Sequence, residues 1–374
     1  MMSIPTRLRI HVLIDSLTWG GAELLLADLA EGAGAHGLEL SVSFLFTAED
    51  SAASRLRAAG LKPEPVGARG LADPRSFRLV RRHLARLRPD VLHTHLQYSD
   101  LLGGVAARTL GIPSVATVHV MDPRETPRER VRARLVALAR RRCHRRVIAV
   151  SDHIRAAYLA AGADRPEHVL TVHNGIAAHP VRGAGARVRA ELGLSPEDAV
   201  IAMIGVLRPG KGHDLAIAAV EEVRRANPSV RLLIAGEGPL REYVARLAAR
   251  LGGAAVLAGH REDVMAVLDA ADMLLHPSHT DAFPTVLLQG LAAGVPIVAS
   301  GVGGIPEIVE DGHTALLVPP PLTGAAFAAR LAQLLGDANL RRAFAERGRE
   351  RFAAEFTAES WAGRLRVIYE QAMP

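Results

Sequence analysis

A chain of 374 residues, 49% of them hydrophobic, is long enough for two domains of ordinary size and too apolar to be disordered. It carries a formal charge of +6, yet only 4% of its residues are aromatic and no nucleic-acid reader motif occurs, which argues against nucleic-acid binding. The single cysteine, Cys143, excludes an internal disulfide and fits a reducing compartment.

The charge is uneven. Residues 1–180 hold 25 Lys+Arg against 17 Asp+Glu, whereas residues 181–374 hold 20 against 22. Arginine is densest over residues 124–146, which read as a basic helix. Such a helix suits contact with an anionic membrane or an anionic acceptor, the plainer alternative being a solvated surface helix. No secretory signal is visible, because the N-terminal apolar run is short and ends at Asp15 as a strand would. The longest apolar stretch, residues 287–306, is broken by glycines and prolines and reads as helix, turn and strand rather than as a membrane span. The expected location is cytoplasmic, with peripheral contact at the inner face of the plasma membrane through the basic helix.

Strand-like runs alternate with helical ones, the pattern of parallel sheets covered by helices. The first strand, residues 9–14, leads through Gly20 and Gly21 into a helix. A glycine pair lets a ligand approach the backbone closely, although no third glycine completes a dinucleotide fingerprint. Further strands are expected at 40–46, 91–95, 114–119, 147–150 and 169–172. Ligands of open α/β sheets sit at the carboxyl ends of strands. There stand His93 and His95, His119, and Ser151 with His153. Residues 177–189 are small, polar and glycine-bearing, as in a linker. A second set of strands follows at 200–205, 231–236, 255–259, 272–276, 295–300 and 315–318, and helices fill the tail from Gly324.

Two segments of this second half carry chemistry. Arg208 and Lys211 flank Gly210 on the loop before a helix, an arrangement that suits a diphosphate. It is not a Walker motif, since the glycine spacing and the following Ser or Thr are missing. Residues 276–307 then place Asp281 on a loop, Pro284 as the first residue of a helix over 285–293, Gly294 as its stop, and Gly303-Gly304 as a second turn. A first helical turn can hold an anion, and Gln289 lies on the same face as Thr285, four residues on. One turn of chain thus offers a phosphate seat, a carboxylate and an amide, a cradle for a nucleotide diphosphate joined to a sugar. A helix–strand unit of an ordinary α/β sheet reads the same residues without a ligand.

Taken in order, Gly20-Gly21-Ala22-Glu23, the 90–95 strand, His119, Ser151, Asn174-Gly175, Arg208 with Lys211, the 236–239 turn, the 281–294 segment and the 303–307 turn cover nearly the whole chain. In that order and spacing they resemble the retaining glycosyltransferases of family 4. The resemblance implies an α/β chain of GT-B fold, two Rossmann-like parallel-sheet domains facing an interdomain cleft. Residues 1–180 would form the acceptor-binding domain, with the last helix, 357–374, crossing back to it. Residues 181–356 would bind the nucleotide sugar. Arg208 and Lys211 would hold the diphosphate, His119 would approach the donor sugar, and Asp281 would meet its hydroxyls; these are the expected catalytic residues. Gly21, Gly205, Gly236, Glu237, His260, Arg261, Val264, Phe283, Pro284, Thr285, Val286 and Gln289 complete the expected donor site.

The implied reaction moves a sugar from a nucleotide diphosphate to a glycan, a glycolipid or a small molecule, with retention and with no cofactor besides the donor. No metal is expected, as no Asp-x-Asp pair occurs. Loops over 46–76 and 95–103 would shape the acceptor site. The family's usual pair of glutamates is here Asp281 and Gln289. Aspartate is shorter by one C–C bond, about 1.5 Å. Glutamine offers a neutral hydrogen bond in place of a charged one, a loss of about 1–2 kcal/mol. These changes motivate two alternatives, a non-catalytic nucleotide-sugar-binding protein or partner subunit of the same fold, and a nucleotide-sugar epimerase.

Overall fold

The computed structural model describes residues 7–18, 20–47, 52–71, 73–121 and 126–374. Parts of the expected 46–76 loop and the first two residues of the expected basic helix lie outside these. The chain divides into two compact units, Met1–Ala177 with Phe356–Pro374, and Ala178–Glu355.

Among the described residues, the first unit holds seven strands: β1 (Leu8–Ile14), β2 (Leu38–Phe44), β3 (Glu64–Pro65), β4 (Val91–His95), β5 (Ser114–Val118), β6 (Arg146–Ala149) and β7 (Val169–Thr171). They pair in parallel in the order β3-β2-β1-β4-β5-β6-β7. β4 and β5 are buried along their whole length, as a sheet covered on both faces requires. Two buried histidines on β4 therefore need partners. His93 finds them in the Tyr369 hydroxyl at 2.8 Å and Thr117 Oγ1 at 2.7 Å. Tyr369 belongs to the last helix, Ala358–Ala372, which is capped by Thr357 and packs in this unit. Two glycines let its backbone close in. A Cβ on Gly175 would lie 2.2 Å from the Thr357 carbonyl oxygen, and one on Gly32 would lie 2.3 Å from that of Ala358.

The second unit, among the described residues, holds β8 (Ala199–Ile204), β9 (Val230–Ala235), β10 (Ala255–Gly259), β11 (Met273–His276), β12 (Ile297–Ser300) and β13 (Ala315–Val318). Their parallel order is β10-β9-β8-β11-β12-β13. Ile201, Leu232, Leu275, Phe327 and Leu331 anchor its core. Every strand expected from the sequence is present within two residues of its expected ends, and Glu64–Pro65 is an addition.

The linker expected over 177–189 holds at its start, where residues 177–183 lie outside helix and strand and the two units divide, and is corrected beyond it. The chain is helical from Ala184 to Glu191, and this helix is bonded into the second unit. The Gly185 amide donates to Asp269 at 2.7 Å, and Arg189 donates to the Asp198 and Ala270 carbonyls and to Asp272. Small residues that look like a spacer in sequence are there for close helix packing: a Cβ on Gly185 would come within 2.3 Å of the Asp269 carbonyl oxygen.

Both sheets change their direction of winding once, between β1 and β4 in the first and between β8 and β11 in the second. At such a point the loops leaving the two strands part to opposite faces and open a crevice at the carboxyl ends. The residues with chemical potential cluster at these two places.

Candidate functional site

In the second unit, the loops after β8, β11 and β12 are laced together through backbone. The His279 amide donates to the Gly210 carbonyl at 2.8 Å, and the Gly304 amide to the Asp281 carbonyl at 3.0 Å. Glycine is required at two of the crossings. Gly212 has φ +73°, and a Cβ there would lie 2.0 Å from the Pro277 carbonyl oxygen. Gly303 has φ +61°, and its Cβ would lie 2.1 Å from the Asp281 carbonyl oxygen.

This lacing brings Lys211 and Asp281 together, with Nζ 2.6 Å from Oδ2 and side chains 16% and 13% exposed. His276 Nε2 approaches the same Oδ2 at 3.1 Å and Ser278 Oγ at 3.4 Å. Burial pushes the Asp281 carboxyl up, but the hydrogen bonds and charges of His276 and Lys211 outweigh it and hold the group well below the usual carboxylate range. Arg208 is exposed, and among the described residues no carboxylate pairs with it. One cation is thus held in place and the other is free to meet an anion.

The helix beside this pair runs Thr285–Ala293 and stops at Gly294, φ +70°. Pro284, expected as its first residue, is instead the residue before it, with ψ 116°. Its ring excludes an N–H, but its carbonyl already accepts from the Leu287 amide at 3.1 Å, so it acts as the cap. The amides available to an anion are therefore those of Thr285 and Val286. Gln289 is half-buried on the Thr285 face, whereas Phe283 and the Val286 side chain are buried at 6% and 9% exposure.

The other expected donor residues divide. Gly205 and Gly236 meet where β8 and β9 end: a Cβ on Gly236 would lie 1.9 Å from the Gly205 carbonyl oxygen, and the Gly236 amide donates to Gly259 at 2.7 Å. Glu237 sits beside them and pairs with Arg241. His260 is exposed and Val264 half-buried. Arg261 is occupied by Asp263 at 2.8 Å and by Glu191, whose hydrogen bonds raise its pKa.

In the first unit, a pocket of about 210 Å³ at the ends of β1, β4 and β5 is lined by Asp15, Tyr98, Thr117, His119, Arg132 and Arg140, among others. Asp15 accepts from the amides of Tyr98 at 3.1 Å and Ser99 at 2.7 Å and from Ser99 Oγ at 2.8 Å. Burial pushes its pKa up to about 7 against these bonds, which favour the ionised form. Leu96, also in the pocket wall, takes φ +73°, a strained value for a residue with a side chain. His119 Nε2 lies 2.8 Å from His95 Nδ1, and burial lowers its pKa to about 4, so it is a neutral hydrogen-bonding group at neutral pH. Arg132 rests on Tyr98, 5.9 Å from the ring centroid, and among the described residues no carboxylate pairs with it. Gly21 has open space where a Cβ would be.

The basic segment is a helix over Pro127–Cys143. Arg140 is buried against Asp100 at 2.6 Å, but Val131, Leu135 and Leu138 are exposed among Arg128, Arg134 and Arg141. Among the described residues no helix is long and apolar enough to cross a membrane, and no group of three or more His, Cys, Asp or Glu could hold a metal ion. Sequence reasoning missed Asp15, Arg132, and His276 and Ser278 beside Asp281. Only Asp15 had a usable signal, as the polar residue directly after an apolar strand.

Two parallel, doubly wound sheets, one with a cation-lined cradle at its switch point, define the GT-B class of nucleotide-sugar enzymes. Solved structures agree on the fold. Anabaena HepE in complex with UDP-glucose is 21% identical and superposes with a TM-score of 0.82 over 97% of this chain and 100% of that one. Sucrose-phosphate synthase from Thermosynechococcus elongatus, also 21% identical, gives 0.77 over 98% and 99%. The chain matches Glycosyltransferase Family 4 over residues 19–179 and Glycosyl transferases group 1 over residues 186–351. It belongs to this glycosyltransferase family. D-inositol 3-phosphate glycosyltransferase of Segniliparus rotundus is 32% identical over 76% of this chain and 67% of its own length. The proteins of that name from Mycobacterium marinum and Mycobacterium tuberculosis are 29% and 30% identical, again over 76% of this chain. The chain spans 64% and 62% of their lengths, less than two thirds.

Gly303→Ala tests the lacing. The added methyl meets the Asp281 carbonyl and forces a side chain into left-handed backbone, so calorimetry should show a loss of about 1–3 kcal/mol in stability. An unchanged melting temperature would contradict the packing.

Proposed function

We propose that the protein transfers a sugar from a nucleotide diphosphate to an acceptor hydroxyl with retention at the anomeric carbon and without a metal. The observation that carries this reading is the grouping of Arg208, Lys211 and the Thr285 and Val286 amides at one switch point. Two positive charges and a helix terminus can stabilise the charge that gathers on a departing diphosphate, the work a metal ion does elsewhere. The bond from the anomeric carbon to the phosphate oxygen breaks, the acceptor oxygen bonds to the same face, and its proton passes to the departing phosphate oxygen. Asp281 orients sugar hydroxyls and Gln289 accepts from the ribose.

A thermal-shift screen of UDP, GDP and ADP with their sugars identifies the donor. A ligand at one hundred times its Kd adds about 2.7 kcal/mol of stability. With that donor, Arg208→Ala should lower kcat about 10²–10³-fold. Its melting temperature should hold, because the side chain is exposed and unpaired. Wild-type turnover would end the assignment, and donor binding with neither transfer nor donor hydrolysis would leave a binding protein.

The acceptor is assigned to the pocket of the first unit, where Arg132 has no carboxylate partner among the described residues and the Asp15 carboxyl is held in place by Tyr98 and Ser99. That chemistry suits a polyol bearing a phosphate, the kind of molecule named for the curated relatives. With inositol 3-phosphate as acceptor, Arg132→Ala should raise the acceptor KM at least tenfold, the weight of one charged hydrogen bond, and leave the donor KM unchanged. An unchanged acceptor KM removes Arg132 from the site.

Peripheral membrane contact is assigned to the Pro127–Cys143 helix, whose exposed Val131, Leu135 and Leu138 lie on one stripe flanked by arginines. Vesicles containing phosphatidylglycerol should sediment the protein and pure phosphatidylcholine vesicles should not. Replacing Leu135 and Leu138 by serine should release it. Equal sedimentation by both lipids, or none, refutes this contact.

A further inference from the structure

We infer that His276, supported by Ser278, is a positioning residue for the donor site: it turns the Asp281 carboxylate so that Oδ2 holds Lys211 and Oδ1 is left for a hydroxyl of the bound sugar. The inference rests on the donor-site reading above and deepens it.

Three donors converge on one oxygen. Lys211 Nζ is 2.6 Å, His276 Nε2 3.1 Å and Ser278 Oγ 3.4 Å from Asp281 Oδ2. Among the described residues no hydrogen bond reaches Oδ1, and the Asp281 side chain keeps 13% of its surface exposed. An ionised carboxylate has about four lone-pair directions shared between two oxygens. A lysine alone, a point charge on a flexible stem, would hold either oxygen equally well. A second donor with a fixed direction decides which oxygen faces the cations and which faces away.

His276 is built to be that donor. It is the last residue of β11 and is 5% exposed, so its ring has little room to move. Ser278 is fully buried, and its carbonyl accepts from Ser300 Oγ at 2.5 Å, which ties the turn to β12. The carboxylate is thus oriented from the sheet through a buried imidazole. Orientation matters more here than for a glutamate. The reach is shorter by about 1.5 Å, so a misaimed oxygen cannot be recovered by an extra rotatable bond. Lys211 keeps two of its three ammonium protons for a diphosphate while the third meets Asp281. Its contact with the diphosphate therefore does not depend on His276.

That separation is the test. Titration calorimetry on the full chain, with UDP and UDP-glucose and in parallel with GDP and GDP-mannose, measures diphosphate and sugar recognition apart. His276→Phe keeps the ring volume and removes the donor. For the pair that binds wild type, the Kd of the nucleotide sugar should rise at least tenfold while that of the diphosphate changes less than twofold. His276→Gln, whose amide nitrogen can stand where Nε2 does, should bring the nucleotide sugar back to within about threefold of wild type. Should His276→Phe fail to fold, Ser278→Ala supplies the same comparison, with a threefold rise for the sugar-bearing ligand alone. Unchanged nucleotide-sugar affinity, or equal loss of both ligands in a variant that melts as wild type does, overturns the positioning role. Wild-type protein that binds none of UDP, GDP, ADP and their sugars in the thermal-shift screen overturns the donor-site reading itself and the inference with it.

Discussion

The change of winding direction in a parallel sheet is the constraint from which the sites follow. Every crossover in a doubly wound sheet places its helix on one face or the other. Where the strand order turns, neighbouring strands send their loops apart and leave a crevice that neither loop fills. In the first unit that place lies between β1 and β4, and Asp15 and Leu96 follow those strands directly. In the second it lies between β8 and β11, and the loops bearing Lys211 and Asp281 follow there. Glycines then decide how tightly the loops can meet: Gly212 against Pro277 and Gly303 against Asp281 leave no space for a side chain.

The electrostatics of the second unit centre on the Lys211–Asp281 pair. Each group is mostly removed from water, and each would be costly to hold charged alone. Pairing at 2.6 Å, with His276 as a further donor, makes both charges tolerable at one place. Substitution of either member therefore leaves the other charge unpaired and disturbs folding. Arg208 differs, being exposed and without a carboxylate partner among the described residues. Two cations that look equivalent in sequence thus have unlike physical standing.

The first unit shows the opposite use of burial. His93, His95 and His119 all have lowered pKa values, chiefly because burial disfavours the charged ring. They bond to Tyr369, to Thr117 and to each other, so the pocket wall is polar but uncharged there. Charge enters the pocket through arginine instead, with Asp15 titrating near neutrality. A neutral histidine can contact a hydroxyl without competing for a nearby anion.

Much of this was legible in the sequence. Alternating apolar runs and glycine turns located the strands, because a buried parallel strand must be apolar and its turn must accept unusual backbone angles. The helix over Thr285–Ala293 and its stop at Gly294 followed from local propensity, as did Arg208 and Lys211 as candidate anion ligands. One-residue errors such as Pro284 arose because a proline is compatible with either side of a helix start. The second half of the 177–189 linker was misread because glycine and alanine serve close packing as well as flexibility. The contacts belong to tertiary structure. Nothing local says that Lys211 faces Asp281, 70 positions away, that Arg261 is occupied by Glu191 and Asp263, or that His276 aims at a carboxylate. The sequence determined which elements form and which side chains could act. Only the folded sheets decided which of them meet, because strand order, not spacing along the chain, sets the distance between loops.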